Sequence, residues 1–176
     1  MLYVEKEQFF HIQRESTWII GQEFLIGLDE NKMMSILESK KEIQALGTML
    51  EIEENEIKQK AEHFSSYHMF VRETVFEDIR KKYFPELPSR RNGIWLCKEG
   101  ENLEYWKSKL LSPNIFKVEV TGKIHKSCAK NLSSDGAVLS RELYSEQAFK
   151  YWSGYIHSEE SVEYLFIGSL KVIEKF

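Results

Sequence analysis

The chain has 176 residues, of which 42% are hydrophobic and 30% charged, with a net charge of −4. That length suits one domain, the apolar share argues against wholesale disorder, and the charge excludes a generally basic nucleic-acid surface. Cys97 and Cys128 cannot build a structural zinc site alone and read as two reduced thiols. No apolar run approaches the ~20 residues of a membrane span. Glu5, Lys6 and Glu7 stand where a signal peptide needs an apolar stretch, so the expected compartment is the cytoplasm.

In chain order, Gln8 to Ile12 reads as a short buried strand, and Trp18 to Ile20 and Glu23 to Ile26 as short extended pieces. Gly21 and Gly27 punctuate them. Residues 31–84 read as helical. Tyr67, Val71, Val75, Ile79 and Tyr83 recur at every fourth position and are expected on one helix face. Glu73 and Glu77, beside Arg72 and Arg80, are expected on a solvated face. Pro85 and Pro88 stop the helix. Gly93 to Cys97 then reads as a buried strand and Glu99 to Leu111 as a short helix. Ile115 to Val120 alternates apolar and polar residues as a half-buried strand does. Gly122 is expected to turn the chain. Asn131 to Gly136 reads as a loop, and Ser145 to Tyr151 as a helix with Gly154 past its end. Val162 to Ile173 is the last strand, with a break expected at Gly168.

This order predicts an α+β domain whose two chain ends meet in one mixed sheet. There is no G-x-G-x-x-G and no Walker-type loop. His63 and His68 are five apart and lack the His-Glu-x-x-His pattern, so no metal site is expected.

Three segments resemble the ADP-ribosyltransferase-like clan, with local likeness to rifampin-type ADP-ribosyltransferases. The first is Phe9-Phe10-His11-Ile12, followed by Trp18-Ile19-Ile20-Gly21-Gln22 and Gly27. The second is Asn92-Gly93-Ile94-Trp95-Leu96, then Glu104-Tyr105-Trp106 and Ile115 to Gly122. The third is Glu163 to Val172, where a Glu precedes an apolar strand. Including Pro88-Ser89-Arg90, the chain is similar to a group of bacterial proteins in that clan.

The resemblance implies a split mixed β-sheet, a single domain over residues 1–176 with a helical insertion at about 31–84, and a cleft for NAD. It implies transfer of ADP-ribose from NAD to a macromolecular or small-molecule acceptor, in a toxin or defence setting. Glu163 would stabilise the developing positive sugar, with Glu160 and Glu159 as alternatives. His11 would hold the nicotinamide ribose through a ring N–H. Arg14, Arg90 and Arg91 are candidates for the pyrophosphate, and Trp18, Trp95 or Tyr151 for ring stacking. Lys123 to Lys130 carries no acid where rifampin-type enzymes carry them. A non-catalytic nucleotide- or protein-binding module, with the helical insertion as a partner surface, is therefore the alternative. A third reading is a nucleic-acid rim of Arg90, Arg91, Lys123, Lys126 and Lys130.

Overall fold

The computed structural model describes residues 1–13, 17–39, 54–110, 114–132 and 139–176. Strands β1 (Leu2–Gln13) and β2 (Glu23–Ile26) come first, then helices α1 (Lys32–Ser39) and α2 (Glu54–Tyr83). β3 (Ile94–Leu96), α3 (Glu101–Leu110), β4 (Asn114–Cys128), α4 (Arg141–Trp152) and β5 (Val162–Lys175) follow. A short 3-10 turn, Ala129–Leu132, leaves β4. The α+β class agrees with the sequence, as do the two helices described within residues 31–84, whose stretch 40–53 lies outside the described residues.

The sheet has five strands in the order β1-β4-β5-β2, with β3 also on β5. β2 takes Gly168 to Lys171 of β5, and β3 takes Tyr164 to Phe166. Every strand pairing among the described residues is antiparallel, so the expected mixed sheet is corrected. A helical crossover makes neighbours parallel only where the joined strands are adjacent. β3 and β4, joined by α3, are separated by β5.

The sheet also curls. Phe10 N–H bonds the Cys97 carbonyl and Cys97 N–H bonds the Phe10 carbonyl, both at 2.9 Å. Those two bonds join the β1 edge to the residue just past β3, at the opposite edge. Inside the curl lies a core of Phe9, Leu96, Phe116, Val118, Ile124, Phe166 and their neighbours. The alternation of Phe116, Val118 and Val120 with Lys117 and Glu119 supplies that face from β4. Outside the curl, Phe76, Ala148, Tyr151, Trp152 and Leu165 form a second core between the sheet, α2 and α4.

Gly122 does not turn the chain and Gly168 does not break the last strand. They face each other across β4 and β5, and both strands run through. A Cβ on Gly122 would meet the Ile167 carbonyl oxygen at 2.3 Å, and one on Gly168 the Thr121 carbonyl oxygen at 2.4 Å. The glycines permit close backbone approach inside a continuous ladder, a use distinct from punctuation.

Helix α2 corrects a further expectation. Tyr67 and Tyr83 are about half exposed, while Glu73 and Glu77 are buried with Val75 and Phe76. Steps of four residues advance about 40° each around a helix of 3.6 residues per turn, so a stripe of four such steps wanders about 160° off its face. The face that packs is the i, i+3, i+4, i+7 set Glu73, Phe76, Glu77 and Arg80. Both cysteines are free and buried. Among the described residues, no helix is long and apolar enough to cross a membrane.

Gly168→Ala is expected to cost about 2 kcal/mol or more, because the added methyl collides with backbone that cannot step aside. The midpoint of urea unfolding measures this. A midpoint equal to the parent's would mean the two strands separate easily at this pair.

Candidate functional site: a buried guanidinium network

Arg90 lies between Pro88, which ends the helical zone, and β3. Its loop is held from several sides. The Asn31 side-chain amide donates to the Arg90 carbonyl at 2.7 Å and to the Gly93 carbonyl at 2.9 Å. Its oxygen accepts from Met34 N–H at 3.1 Å, so Asn31 also caps α1. Ser89 Oγ donates to Glu77 Oε2 at 2.8 Å, and Asn92 Nδ2 to the Gly27 carbonyl at 2.8 Å.

The guanidinium points into the space between α2, α4 and β5. Its Nε donates to Glu73 Oε2 at 2.8 Å and its Nη2 to Glu73 Oε1 at 3.2 Å, a bidentate pair. Nη1 donates to Glu163 Oε1 at 2.7 Å and to Tyr151 Oη at 2.8 Å. The Tyr151 hydroxyl in turn donates to Glu163 Oε1 at 2.5 Å. Three rings surround the cation, with centroids 4.8 Å (Tyr151), 5.1 Å (Trp95) and 6.0 Å (Phe76) from Cζ. The group is shut away from solvent: exposure is 2% for Glu73, 4% for Arg90, 4% for Glu163 and 0% for Tyr151.

The start of β5, which carries Glu163, is fixed from α3. Asn102 Nδ2 donates to the Glu160 and Val162 carbonyls at 2.7 and 2.8 Å, and Trp106 Nε1 to Val162 at 2.8 Å. Tyr151 is fixed through its own carbonyl, which accepts from His125 Nε2 at 3.0 Å and Ser127 Oγ at 2.9 Å.

Burial alone would drive Arg90 and Glu73 neutral, and their pairing reverses that. Burial opposes the Arg90 charge, but Glu73, Tyr151 and Glu163 outweigh it and raise the guanidinium well above its ordinary value. Burial pushes the Glu73 carboxyl up, and Arg90 and Arg72 pull it below the usual range. Burial holds Tyr151 protonated, with Glu163 adding to the effect. Burial lowers His125 to about 4, so its imidazole is neutral.

Four of the sequence-derived candidates therefore converge: Glu163, Arg90, Tyr151 and the Trp95 ring. His11 stands apart. Its Nδ1 lies 2.9 Å from the Trp95 carbonyl. A carbonyl only accepts, so Nδ1 carries the proton. Burial lowers the His11 pKa, which keeps the ring neutral and Nε2 an acceptor. The expected ring N–H is thus spent on Trp95. The His11 ring stacks on Trp18 at 4.7 Å, and Trp18 packs on Phe24 and Phe116 inside the curl.

Arg91 turns away from the network and pairs with Glu30 at 2.7 Å, near the surface. Arg14 lies outside the described residues. Glu159 and Glu160 are exposed, facing Lys126 at 3.0 Å and Lys130 at 4.0 Å. Of the basic-rim residues, Arg90 is buried in the network, while Arg91, Lys126 and Lys130 have carboxylate neighbours near the surface. Glu73, expected on a solvated face, is a member of the network instead; the sequence signal for this is the α2 face it shares with Phe76, Glu77 and Arg80.

An antiparallel curled sheet with a closed ionic network under two helices defines this as an α+β domain with a buried polar centre. A family model described as "Protein of unknown function (DUF2441)" matches residues 9–176, nearly the whole chain, and the chain belongs to that family. No curated protein matches it.

Glu163→Gln removes one charge from a buried set and is expected to cost about 3 kcal/mol, near the lower end for breaking a buried pair. Denaturant unfolding checks this, and a change under 1 kcal/mol would show that Arg90 is satisfied by Glu73 alone. The pH profile is a further test. His125 binds a proton in the unfolded chain below about 6.5. In the folded chain it does so only near 4, so stability falls as pH drops across that window, by about 3 kcal/mol from His125, and the lowered His11 adds to the fall. Glu73, depressed when folded, adds a further loss at lower pH. His125→Gln, which retains a donor for the Tyr151 carbonyl, is expected to flatten the profile between pH 6.5 and 4.

Proposed function

We propose that this protein is a nucleotide-binding module on an ADP-ribosyltransferase-like scaffold, which takes NAD at the His11–Trp18 corner and does not transfer ADP-ribose. The observation that supports this reading is the split between the two halves of the expected machinery. His11 offers an unprotonated ring nitrogen beside a part-buried indole, which suits a ribose hydroxyl as donor and a planar ring as neighbour. Glu163 is buried beneath Arg90 and Tyr151, with its Oε1 already accepting two hydrogen bonds. A carboxylate in that state does not meet a developing sugar cation. Arg90 is likewise committed to two carboxylates. Arg91, whose partner is a surface carboxylate in an exchangeable pair, is the better cation for a pyrophosphate.

The test is thermal stability with and without millimolar NAD, read beside nicotinamide release. The expected result is a rise in melting temperature that follows ligand linkage, no nicotinamide, and loss of the rise in His11→Ala. Nicotinamide release that Glu163→Gln abolishes in a folded protein would overturn the non-catalytic reading in favour of a transferase. No rise at millimolar NAD would overturn nucleotide binding itself.

A further inference from the structure

The surroundings of Arg90 have the chemistry of a binding site as well as of a structural contact. Two carboxylates, Glu73 and Glu163, stand on either side of one cation. The Tyr151 hydroxyl accepts from it. Tyr151, Trp95 and Phe76 supply ring neighbours within 6.0 Å of Cζ. The carboxylates come from α2 and β5 and the rings from α2, β3 and α4, whereas the cation enters on the loop before β3. Host and guest are thus separate pieces of chain. The Nε/Nη2 edge meets Glu73 in a two-point contact while Nη1 reaches Glu163 and Tyr151 together. Only a planar fork can satisfy both edges at once; a compact ammonium offers three divergent donors and a stronger hydration shell.

We infer that the space between α2, α4, β3 and β5 is a guanidinium-recognition cage, selective for alkylguanidinium over alkylammonium, which the chain fills in cis with Arg90. Glu73 and Glu163 set its charge, Tyr151 its hydrogen-bond polarity and the three rings its shape. The polar members keep contacts that do not involve Arg90, so removing its side chain is expected to leave Glu73, Glu163 and Tyr151 around the space it occupied. Arg72 donates to Glu73 Oε1 at 2.9 Å, Asn102 and Trp106 hold the backbone that carries Glu163, and His125 and Ser127 hold the Tyr151 carbonyl. An external alkylguanidinium then replaces the missing side chain. This holds whether or not a nucleotide binds at His11, and no nucleotide enters the experiment.

The test is chemical rescue of the full chain carrying Arg90→Ala. Methylguanidine, at about ten times its Kd, is expected to raise the melting temperature of Arg90→Ala by about 3–5 °C along a saturating curve. Methylammonium at the same concentration and ionic strength, and methylguanidine on the parent protein, are expected to leave the melting temperature unchanged. Equal responses to the two cations, or none to methylguanidine, overturns the inference, as does an equal rise in the parent. Should Arg90→Ala not fold in plain buffer, the readout becomes recovery of folded protein on refolding in methylguanidine but not in methylammonium, and equal recovery overturns it. Arg90→Lys gives an independent answer: a melting temperature below the parent's supports a cage shaped for a planar fork, and one equal to it overturns that selectivity.

Discussion

A cation without water is the constraint around which this domain is arranged. Arg90 cannot neutralise itself by losing a proton, so its burial demands carboxylates at close range. Glu73 arrives from α2 and Glu163 from β5, and Tyr151 bridges from α4. Each of these elements is thereby placed relative to the loop before β3. Such a network adds little net stability compared with apolar residues of the same volume. A register shift or helix rotation that withdrew one partner would strand a charge in the core.

The sheet supplies the second constraint. Its two edges are joined where Phe10 and Cys97 exchange hydrogen bonds, so β1 and β3 become neighbours although neither is β4 or β5. The facing glycines, Gly122 and Gly168, let the two central strands approach where each Cβ would strike a carbonyl. Closure turns one face of the sheet into an enclosed apolar core. The other face is left to α2 and α4, and it is there that the polar network sits, at the layer between sheet and helices.

Trp95 stands where the two sides meet. Its carbonyl holds the His11 ring in one tautomer, and its own ring covers the Arg90 guanidinium. β3 is only three residues long, so both contacts depend on the same short piece of backbone. The residues picked from sequence for one shared site are therefore divided between two environments. Glu163 and Arg90 are tied up with Glu73 and Tyr151 in the buried network, and His11 stacks on Trp18.

The sequence by itself determined the elements. Apolar runs and alternation placed β2, β3 and β5 close to where they lie and found the second half of β1, Pro85 and Pro88 bounded the helical zone, and Gly154 followed α4 at positive φ. It also brought Glu163, Arg90, Tyr151 and Trp95 into consideration, through the resemblance of their segments to an NAD-binding family and the chemistry that resemblance implies. Tertiary structure decided what those residues do. Local spacing says that Glu73 and Phe76 share a helix face, but not that the face is turned inward, since that depends on a cation 17 residues away in sequence. Strand direction was equally invisible, because whether β3 lies beside β4 or across β5 from it is a matter of long-range pairing. A glycine in a strand reads locally as a stop, and only the partner strand shows it to be a point of close contact. The proton on His11 was settled last of all, by a backbone carbonyl 84 residues further along the chain.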